Sequence, residues 1–334
     1  MRASEADPIS HDGRLKAIFA LLVPAFIGHT IQLLSEDVPW APWAWPRYWW
    51  TPGWHLYLPP WVVIGIAVAL AVAVIGVGVR RTRRWAIALI VLYIAHYLTY
   101  PYRIRNHMTY MLASLSAIGG AWLIGRLSGA KRASRLVDRY AAAAVATAVC
   151  VSYFFAGLHK TNAGFLQFNE VSSAYEGVQT FWVYGDLGEK APTWAVAIAI
   201  YGTLAVEYTV PLIARLVRPA RVFMILALMA FHFPHVAVMN VADYPMIASA
   251  FYPALFDRAH WRILERELYR PTRWNVGGAI LGAAAQCWWI PWIGGLTVFG
   301  ILVCMIWGWG AGSMLRMTFV RTREGSVQRS SGND

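Results

Sequence analysis

The segment WVVIGIAVALAVAVIGVGV, residues 61–79, contains no charged side chain and is followed at once by RRTRR, residues 80–84. As an α-helix this segment would be about 28 Å long, close to the roughly 30 Å of hydrocarbon in a bilayer. An apolar run of this length that ends in arginines is typical of a transmembrane helix. The whole chain has the same character, because it is 58% hydrophobic and 14% charged. A water-soluble core cannot bury that much apolar surface, so the bilayer is expected to be the solvent.

Similar apolar runs recur along nearly the whole chain, separated by charged, proline-rich or tryptophan-rich breaks. They predict an all-α, polytopic membrane protein with about nine to ten transmembrane helices. The candidate spans are 15–34, 61–79, 85–101, 108–125, 140–158, 193–214, 222–242, 245–257, 275–290 and 293–311. The eighth is short enough to be a re-entrant or half-buried segment instead. We expect one transmembrane domain over 1–320 and a disordered tail over 321–334.

The basic residues distinguish the two faces of the membrane. If the N-terminus lies inside, the six inner segments hold 24 of the 29 Lys and Arg residues. Because cytoplasmic loops are enriched in Lys and Arg, both termini are predicted to be cytoplasmic. The same distribution accounts for the net charge of +12 and argues against a nucleic-acid partner. The basic residues left on the outer side are Arg47, Arg103, Arg105, Lys160 and Lys190.

The predicted outer face contains two long segments. The stretch 35–60 is rich in Trp and Pro, which indicates either an ordinary aromatic belt at headgroup level or a lid over a cavity. The connection 159–192 has a helical-looking middle and is predicted to be a partly ordered surface segment. The three cysteines lie inside apolar runs, so we interpret them as packing residues and expect neither a disulfide nor a metal framework.

Four polar clusters lie inside apolar spans or at their edges, where ionisable groups are costly and are therefore candidates for function. The clusters are 103–107, 153–162, Glu207 with Tyr208, and 231–245. Three of them are predicted to face outward, where they can line one cavity. In the last cluster His232 and His235 share a helical face, but no carboxylate or thiolate lies at ligand spacing, so we expect no metal.

Each cluster also has a structural explanation. Arg103 and Arg105 can be snorkelling anchors, and His107 can be an interfacial histidine. Lys160, at the end of a span, can extend toward lipid headgroups. Glu207 can be a hydrogen-bonding partner between packed helices.

Three runs occur in the order, and at roughly the spacing, of a known family. They are Asn106-His107-Met-Thr-Tyr110-Met-Leu, Phe155-Ala-Gly-Leu-His159-Lys160, and Phe231-His232 followed by Tyr244 and a short apolar stretch ending in Phe256. On these runs the chain resembles the vitamin K-dependent γ-carboxylase-like transmembrane family, whose bacterial members are also called HTTM-domain (horizontally transferred transmembrane) proteins. The resemblance covers about residues 80–270.

The resemblance implies a chemistry for these residues. In the carboxylases of that family, the lysine of the Ala-Gly-x-x-Lys run is held to deprotonate vitamin K hydroquinone. Oxygenation of the quinol to its epoxide is thereby coupled to proton abstraction from glutamate and to carboxylation. The resemblance therefore implies Lys160 as the base, with His107 and His232 also catalytic, and vitamin K hydroquinone or menaquinol, O2 and CO2 as co-substrates. The residues implied to bind the quinol are Asn106, Arg103, His159, Glu207 and Tyr244.

The leading hypothesis is a membrane enzyme that takes reduced quinone from the bilayer and acts on a peptide or small carboxylic acid at the extracytoplasmic face. Desolvation at the end of a span is expected to disfavour the charged form of Lys160, as a base requires, and Lys160→Ala is expected to leave the fold intact. Two alternatives stay open. One is a non-enzymatic lipid- or peptide-binding accessory protein for peptide toxin maturation or export. The other is a transporter, which the lack of an internal repeat disfavours.

Overall fold

A computed structural model describes residues 9–35, 59–99, 106–129, 134–184, 187–237, 243–293 and 297–330. This described part of the chain is all-helical and contains no β-strand. Its helices are α1 (Gly13–Ser35), α2 (Pro60–Arg80), α3 (Arg83–Thr99), α4 (Asn106–Leu127), α5 (Ser134–Lys160), α6 (Ser173–Tyr184), α7 (Thr193–Leu216), α8 (Arg221–Ala237), α9 (Asp243–Ala250), α10 (Arg258–Tyr269), α11 (Arg273–Ile293) and α12 (Thr297–Ser330). The predicted all-α fold is confirmed. The Trp-rich stretch predicted over 35–60 lies almost wholly outside the described residues.

Among the described residues, five helices are long and apolar enough to cross a bilayer: α2, α4, α5, α7 and α12. Helices α3 and α8 have 17 residues each and reach about 25 Å, slightly less than the hydrocarbon thickness. The prediction of a polytopic helical membrane protein is confirmed.

The candidate span at 245–257 is not one continuous helix. Helix α9 has 8 residues and ends at Ala250, and a separate 3₁₀ turn follows over Tyr252–Leu255. Pro253 has no N–H to donate, so a helix continuing from α9 would lack a hydrogen bond there. An 8-residue helix reaches only about 12 Å. The structure therefore favours the half-buried or re-entrant alternative over a tenth helical crossing.

Two helices lie in segments that the hydropathy pattern treats as connections. Helix α6 is the predicted helical middle of 159–192, and Ser172 Oγ caps its start by accepting hydrogen bonds from Ala174 N (3.2 Å) and Tyr175 N (3.4 Å). Helix α10 lies in the segment 258–273, which the sequence predicts only as an inner loop between spans. Its many charged residues lower its mean hydropathy, so a search for apolar runs does not detect it. Asp257, just before the helix, is nevertheless a suitable N-cap residue.

The C-terminal end differs from the predicted disordered tail. Helix α12 continues through Ser330, well into the segment 321–334, and residues 331–334 lie outside the described residues. A helix that is already formed adds one hydrogen bond for each residue it gains, so polar residues can extend it beyond the apolar span.

The described chain separates into two compact units. The first comprises Met1–Val149 with Met246–Ala254. Near one end of this unit Asp138, which is buried, accepts hydrogen bonds from His11 N (2.6 Å), Arg83 Nη2 (2.7 Å) and Trp122 Nε1 (3.0 Å). Three segments predicted to be cytoplasmic therefore meet at one carboxylate: the N-terminal segment, 80–84 and 126–139.

The second unit comprises Cys150–Pro245 with Leu255–Asp334. Here Asp257 forms ion pairs with Arg218 (3.1 Å) and Arg221 (3.3 Å), and Glu267 forms one with Arg316. These contacts join the other three basic segments predicted to be cytoplasmic: 215–221, 258–273 and the segment after the last apolar span, which includes Arg316. In each unit, the segments that the charge count assigns to one side thus lie together.

The α11–α12 hairpin is built on glycine. A Cβ atom at Gly278 would lie 2.1 Å from the carbonyl oxygen of Gly308, and one at Gly282 would lie 2.0 Å from that of Cys304. A Cβ at Gly312 would similarly lie 2.0 Å from the carbonyl oxygen of Trp274. Backbone atoms cannot swing aside as side chains do, so these helices approach closely only because the glycines are spaced four apart on both of them.

Candidate functional site

One face of α5 carries the polar contacts of the candidate site, which lies in the second unit. Tyr153, Gly157 and Lys160 are spaced four and three residues apart and therefore share this face. Gly157 lets α7 approach closely, because a Cβ atom there would lie 3.3 Å from both Glu207 Cβ and Tyr208 Cζ. The two large polar side chains thus flank a point of close helix–helix approach.

The centre of the candidate site is an ion pair between Lys160 and Glu207. Lys160 Nζ donates to Glu207 Oε1 at 2.5 Å. The Glu207 side chain is 1% exposed and that of Lys160 is 25% exposed. The second oxygen, Glu207 Oε2, is buried and has no hydrogen-bond partner among the described residues. A buried carboxylate oxygen without a donor is costly, which makes Oε2 an acceptor available to a ligand.

Glu207 lies in the interior of α7, whereas Lys160 is the last residue of α5. Glu207 lies about 21 Å along the axis from the start of α7 and about 13 Å from its end. Four residues later Pro211 lacks the N–H that would otherwise bond to the Glu207 carbonyl oxygen. A second acceptor, the backbone oxygen of Glu207, therefore loses its intrahelical donor at the same position.

A second polar contact lies about 10 Å away along the same face of α5. Tyr153 and His232 are both buried, and Tyr153 Oη lies 2.5 Å from His232 Nε2. Their rings pack edge to face with centroids 5.9 Å apart. His232 is thus held by α5 on the inner side of α8, where a proton can be exchanged between the phenol and the imidazole.

Exposed and partly exposed aromatic side chains border the ion pair. Tyr208 Oη is 2.6 Å from Thr161 Oγ1, and the Tyr208 ring packs edge to face on Phe154 at 5.3 Å. Phe154 and Phe155 are 42% and 59% exposed. Since exposed aromatic rings on a membrane helix contact lipid, an apolar molecule dissolved in the bilayer can approach Lys160 from this side.

The chain that follows Lys160 folds over the first half of α7. Asn162 begins this turn, donating from Nδ2 to the His159 carbonyl oxygen (2.6 Å) and accepting from Phe165 N (3.0 Å). Phe165 then enters an apolar cluster with Val196 and Ile200 of α7, against which residues of α6 pack. The segment 161–192 therefore covers α7 ahead of Glu207, and the predicted order in its middle is confirmed.

The structure describes only some of the predicted site residues. Lys160 and Glu207 are brought into contact, and His232 is buried against Tyr153. His159 is exposed in the last turn of α5. Side chains that lie outside the described residues are those of Arg103, Asn106, His107 and Tyr244. The single cavity predicted for Lys160, His107 and His232 therefore stays a prediction.

Two features of the site were not predicted from the sequence. The first is the pairing of Lys160 with Glu207, although two opposite charges in separate apolar spans are a signal that they pair. The second is the Tyr153–His232 contact, for which the sequence offers no comparable signal. The pairing corrects the expectation for Lys160, which considered desolvation alone. Removing the lysine would leave the Glu207 carboxylate buried without its partner.

Comparison with known proteins identifies the family. The model of the HTTM domain matches residues 10–261, which includes the whole candidate site and ends within α10. The match begins well before the 80–270 range of the resemblance seen in the sequence. No curated protein and no solved structure matches the chain. The chain is therefore an integral membrane protein that belongs to the HTTM domain family.

Proposed function

We propose that this protein is a membrane enzyme that deprotonates a reduced isoprenoid quinone, with the Lys160–Glu207 pair as the base. Vitamin K hydroquinone or menaquinol is the expected co-substrate, and the active face is extracytoplasmic in a bacterial cytoplasmic membrane. The observation that carries the proposal is the buried carboxylate oxygen Glu207 Oε2, unpaired beside an ammonium and next to a lipid-facing aromatic margin.

The residues at this position suit a quinol. A quinol has two hydroxyl donors on an aromatic ring and an apolar tail, so it needs acceptors, a flat apolar contact and access from the bilayer. Glu207 Oε2 supplies an acceptor for a hydroxyl, Tyr208 and Phe154 supply ring faces, and Phe155 is exposed toward lipid. When bound, the quinol would supply oxygenation chemistry with O2, coupled to proton abstraction from, or carboxylation of, a peptide or small carboxylic acid.

The pair can accept a proton as a unit. At rest, Lys160 and Glu207 share one titratable proton, either as ammonium and carboxylate or as amine and carboxylic acid. Both forms are neutral overall, which suits a buried position. Lys160 is the base in its amine form, and its uptake of a proton from a hydroxyl, directly or through Glu207, gives ammonium and carboxylic acid. This one net positive charge balances the negative charge left on the deprotonated oxygen, and a guanidinium cannot take the place of the amine. Glu207 thus lets Lys160 act as a base without leaving an isolated charge in the bundle.

The other predicted residues have supporting roles in this proposal. His232 of α8, held by Tyr153 of α5 at 2.5 Å, is a second proton-transfer group in this proposal. Asn106, Arg103, His107, His159 and Tyr244 remain candidates for binding the quinol or the second substrate.

The experiment is oxygen-dependent quinol turnover by the purified chain in nanodiscs that contain menaquinol. Lys160→Arg keeps a cation opposite Glu207 but cannot release a proton near neutral pH, so epoxide formation should fall by at least about 100-fold. Glu207→Gln, which keeps the shape of Glu207 and removes its charge, should also lose turnover. Lys190→Arg is the matched control, because Lys190 is exposed in the same unit, and it should behave as the wild type.

The outcomes separate the two main alternatives. Turnover that survives Lys160→Arg would refute the base role of Lys160. Saturable quinone binding without turnover in the wild type would support a non-enzymatic lipid- or peptide-binding accessory protein, in which the same groups hold a ligand without chemistry.

A further inference from the structure

Helix α10 presents an arginine stripe on its outward face. Its inward face carries His260 and Glu267, which are both buried and two turns apart. On the opposite side, Arg258, Arg262 and Arg266 follow one another at four-residue intervals, about 6 Å apart along the axis, and all three are exposed.

The described part of the chain does not neutralise these arginines. Asp257 is bound to Arg218, Arg221 and His260, and Glu267 is bound to Arg316. Arg258, Arg262 and Arg266 form no ion pair with any residue in the part of the chain that the structure describes. The outward face includes one acidic residue, Glu265, so it keeps a net positive charge.

The position of α10 puts this stripe beside the membrane. The Asp257 contacts tie its first turn to the start of α8, and the contact between Glu267 and Arg316 ties its last turns to α12, which is long and apolar enough to span. Next to the stripe, Leu268 and Tyr269 are 60% and 83% exposed. Arginines bordered by exposed apolar side chains, on a short helix at the end of membrane-spanning helices, are typical of a helix that lies in the headgroup region.

We propose that the outward face of α10 binds the phosphate groups of anionic phospholipids in the adjacent leaflet. Arginine guanidinium groups bind phosphate through two parallel N–H donors, and three of them in a row fit the headgroups of neighbouring lipids. Leu268 and Tyr269 contact the acyl chains just below. This role differs from the topological effect of positive charge, which concerns only the side on which a loop resides, and it is independent of the proposed quinol chemistry.

The test compares lipid binding by the full chain purified in a neutral detergent. Phosphatidylglycerol and phosphatidylcholine are titrated separately, and bound lipid is counted by native mass spectrometry. The α10 variant is R258Q/R262Q/R266Q. The matched control is R126Q/R135Q/R139Q, which removes three exposed arginines and changes the net charge equally. Each arginine close to an anionic surface contributes about fivefold, so the α10 variant should bind phosphatidylglycerol on the order of 100-fold more weakly.

The control variant and phosphatidylcholine show whether a loss of binding is specific to α10 and to anionic lipid. The control should keep its affinity for phosphatidylglycerol within about threefold, and phosphatidylcholine should bind all three proteins alike. Equal losses in the two triple variants would show a general charge effect and overturn the proposal. Unchanged phosphatidylglycerol binding by the α10 variant, with loss of binding to a short oligonucleotide instead, would overturn it in favour of a soluble polyanion.

Discussion

The Lys160–Glu207 pair makes a quantitative prediction about stability. In Lys160→Met, a carboxylate that is 1% exposed loses its cation and must stay unpaired or take up a proton. Breaking a buried ion pair from one side typically costs 3–5 kcal/mol, and because Lys160 is 25% exposed we expect about 3 kcal/mol. Glu207→Gln leaves a partly exposed ammonium that water can reach, so we expect about 1–2 kcal/mol.

The double variant K160M/E207Q isolates the interaction. It leaves neither a buried carboxylate nor an ammonium, so it should be destabilised by less than the sum of the single variants, with a coupling energy of about 2 kcal/mol. Lys160→Arg keeps the pair and should stay within about 1 kcal/mol of the wild type. The expectation from the sequence, that Lys160→Ala leaves the fold intact, therefore changes to a marked loss of stability.

The assay is SDS-induced unfolding of the full chain in mixed micelles, followed by tryptophan fluorescence and analysed as a free energy for each variant. Lys190→Met is the matched control, because the same substitution at an exposed lysine should change stability by less than about 0.5 kcal/mol. A cycle that is additive within about 0.5 kcal/mol, or a Lys160→Met variant as stable as Lys190→Met, would refute the reasoning.

Three further predictions concern the framework around the site. Gly278→Ala puts a Cβ atom 2.1 Å from a backbone oxygen of α12 and should separate the two helices of the hairpin. The adjacent Gly277→Ala has open space at its Cβ and should be neutral or stabilising by up to about 1 kcal/mol. Thermal unfolding compares the two variants, and equal melting temperatures would contradict the packing. Asp138→Ala removes the acceptor of three donors at a fully buried position, so it should lower the free energy of unfolding by about 3–5 kcal/mol, measured by the same SDS titration. A loss below about 1 kcal/mol would show that water replaces Asp138 as the acceptor. For Asp257, burial raises the pKa, but the hydrogen bond from the His260 backbone N–H and the neighbouring cations outweigh it, so the folded pKa lies below the usual value of 3.8. The stability that this carboxylate contributes is therefore fully present above the unfolded pKa. It is lost as the pH falls through the folded pKa. Asp257→Asn should therefore differ from the wild type most above about pH 5 and converge with it below pH 3.8, and a difference that does not change with pH would disprove the charged role.

The sequence predicts the helices well where apolarity alone decides them. The apolar run at 61–79 becomes α2 within a residue at each end, because a helix is the only way to satisfy the backbone across hydrocarbon. The same logic fails at 258–269, since α10 is held by a cap and by buried polar residues, which hydropathy does not register. At 245–257 apolarity leaves a full crossing and a half-buried segment as alternatives, and the length of the run, with the end of α9 at Ala250, favours the second.

For the candidate site, the sequence identifies the residues and not their partners. Lys160, Glu207 and His232 stand out because ionisable groups in apolar spans are rare. Which of them touch depends on the close approach of α5 and α7 at Gly157, a property of three-dimensional packing. The expected loss of stability when Lys160 is removed follows only from that contact.

Incorporation of ¹⁸O from ¹⁸O2 into menaquinone epoxide by the purified chain in nanodiscs would show whether Lys160 drives quinol oxygenation. We expect labelled epoxide from the wild type and from Lys190→Arg, and none above background from Lys160→Arg, which should be as stably folded as the wild type. Equal label in Lys160→Arg and the wild type, or no label from a stably folded wild type that binds menaquinol, would contradict the account.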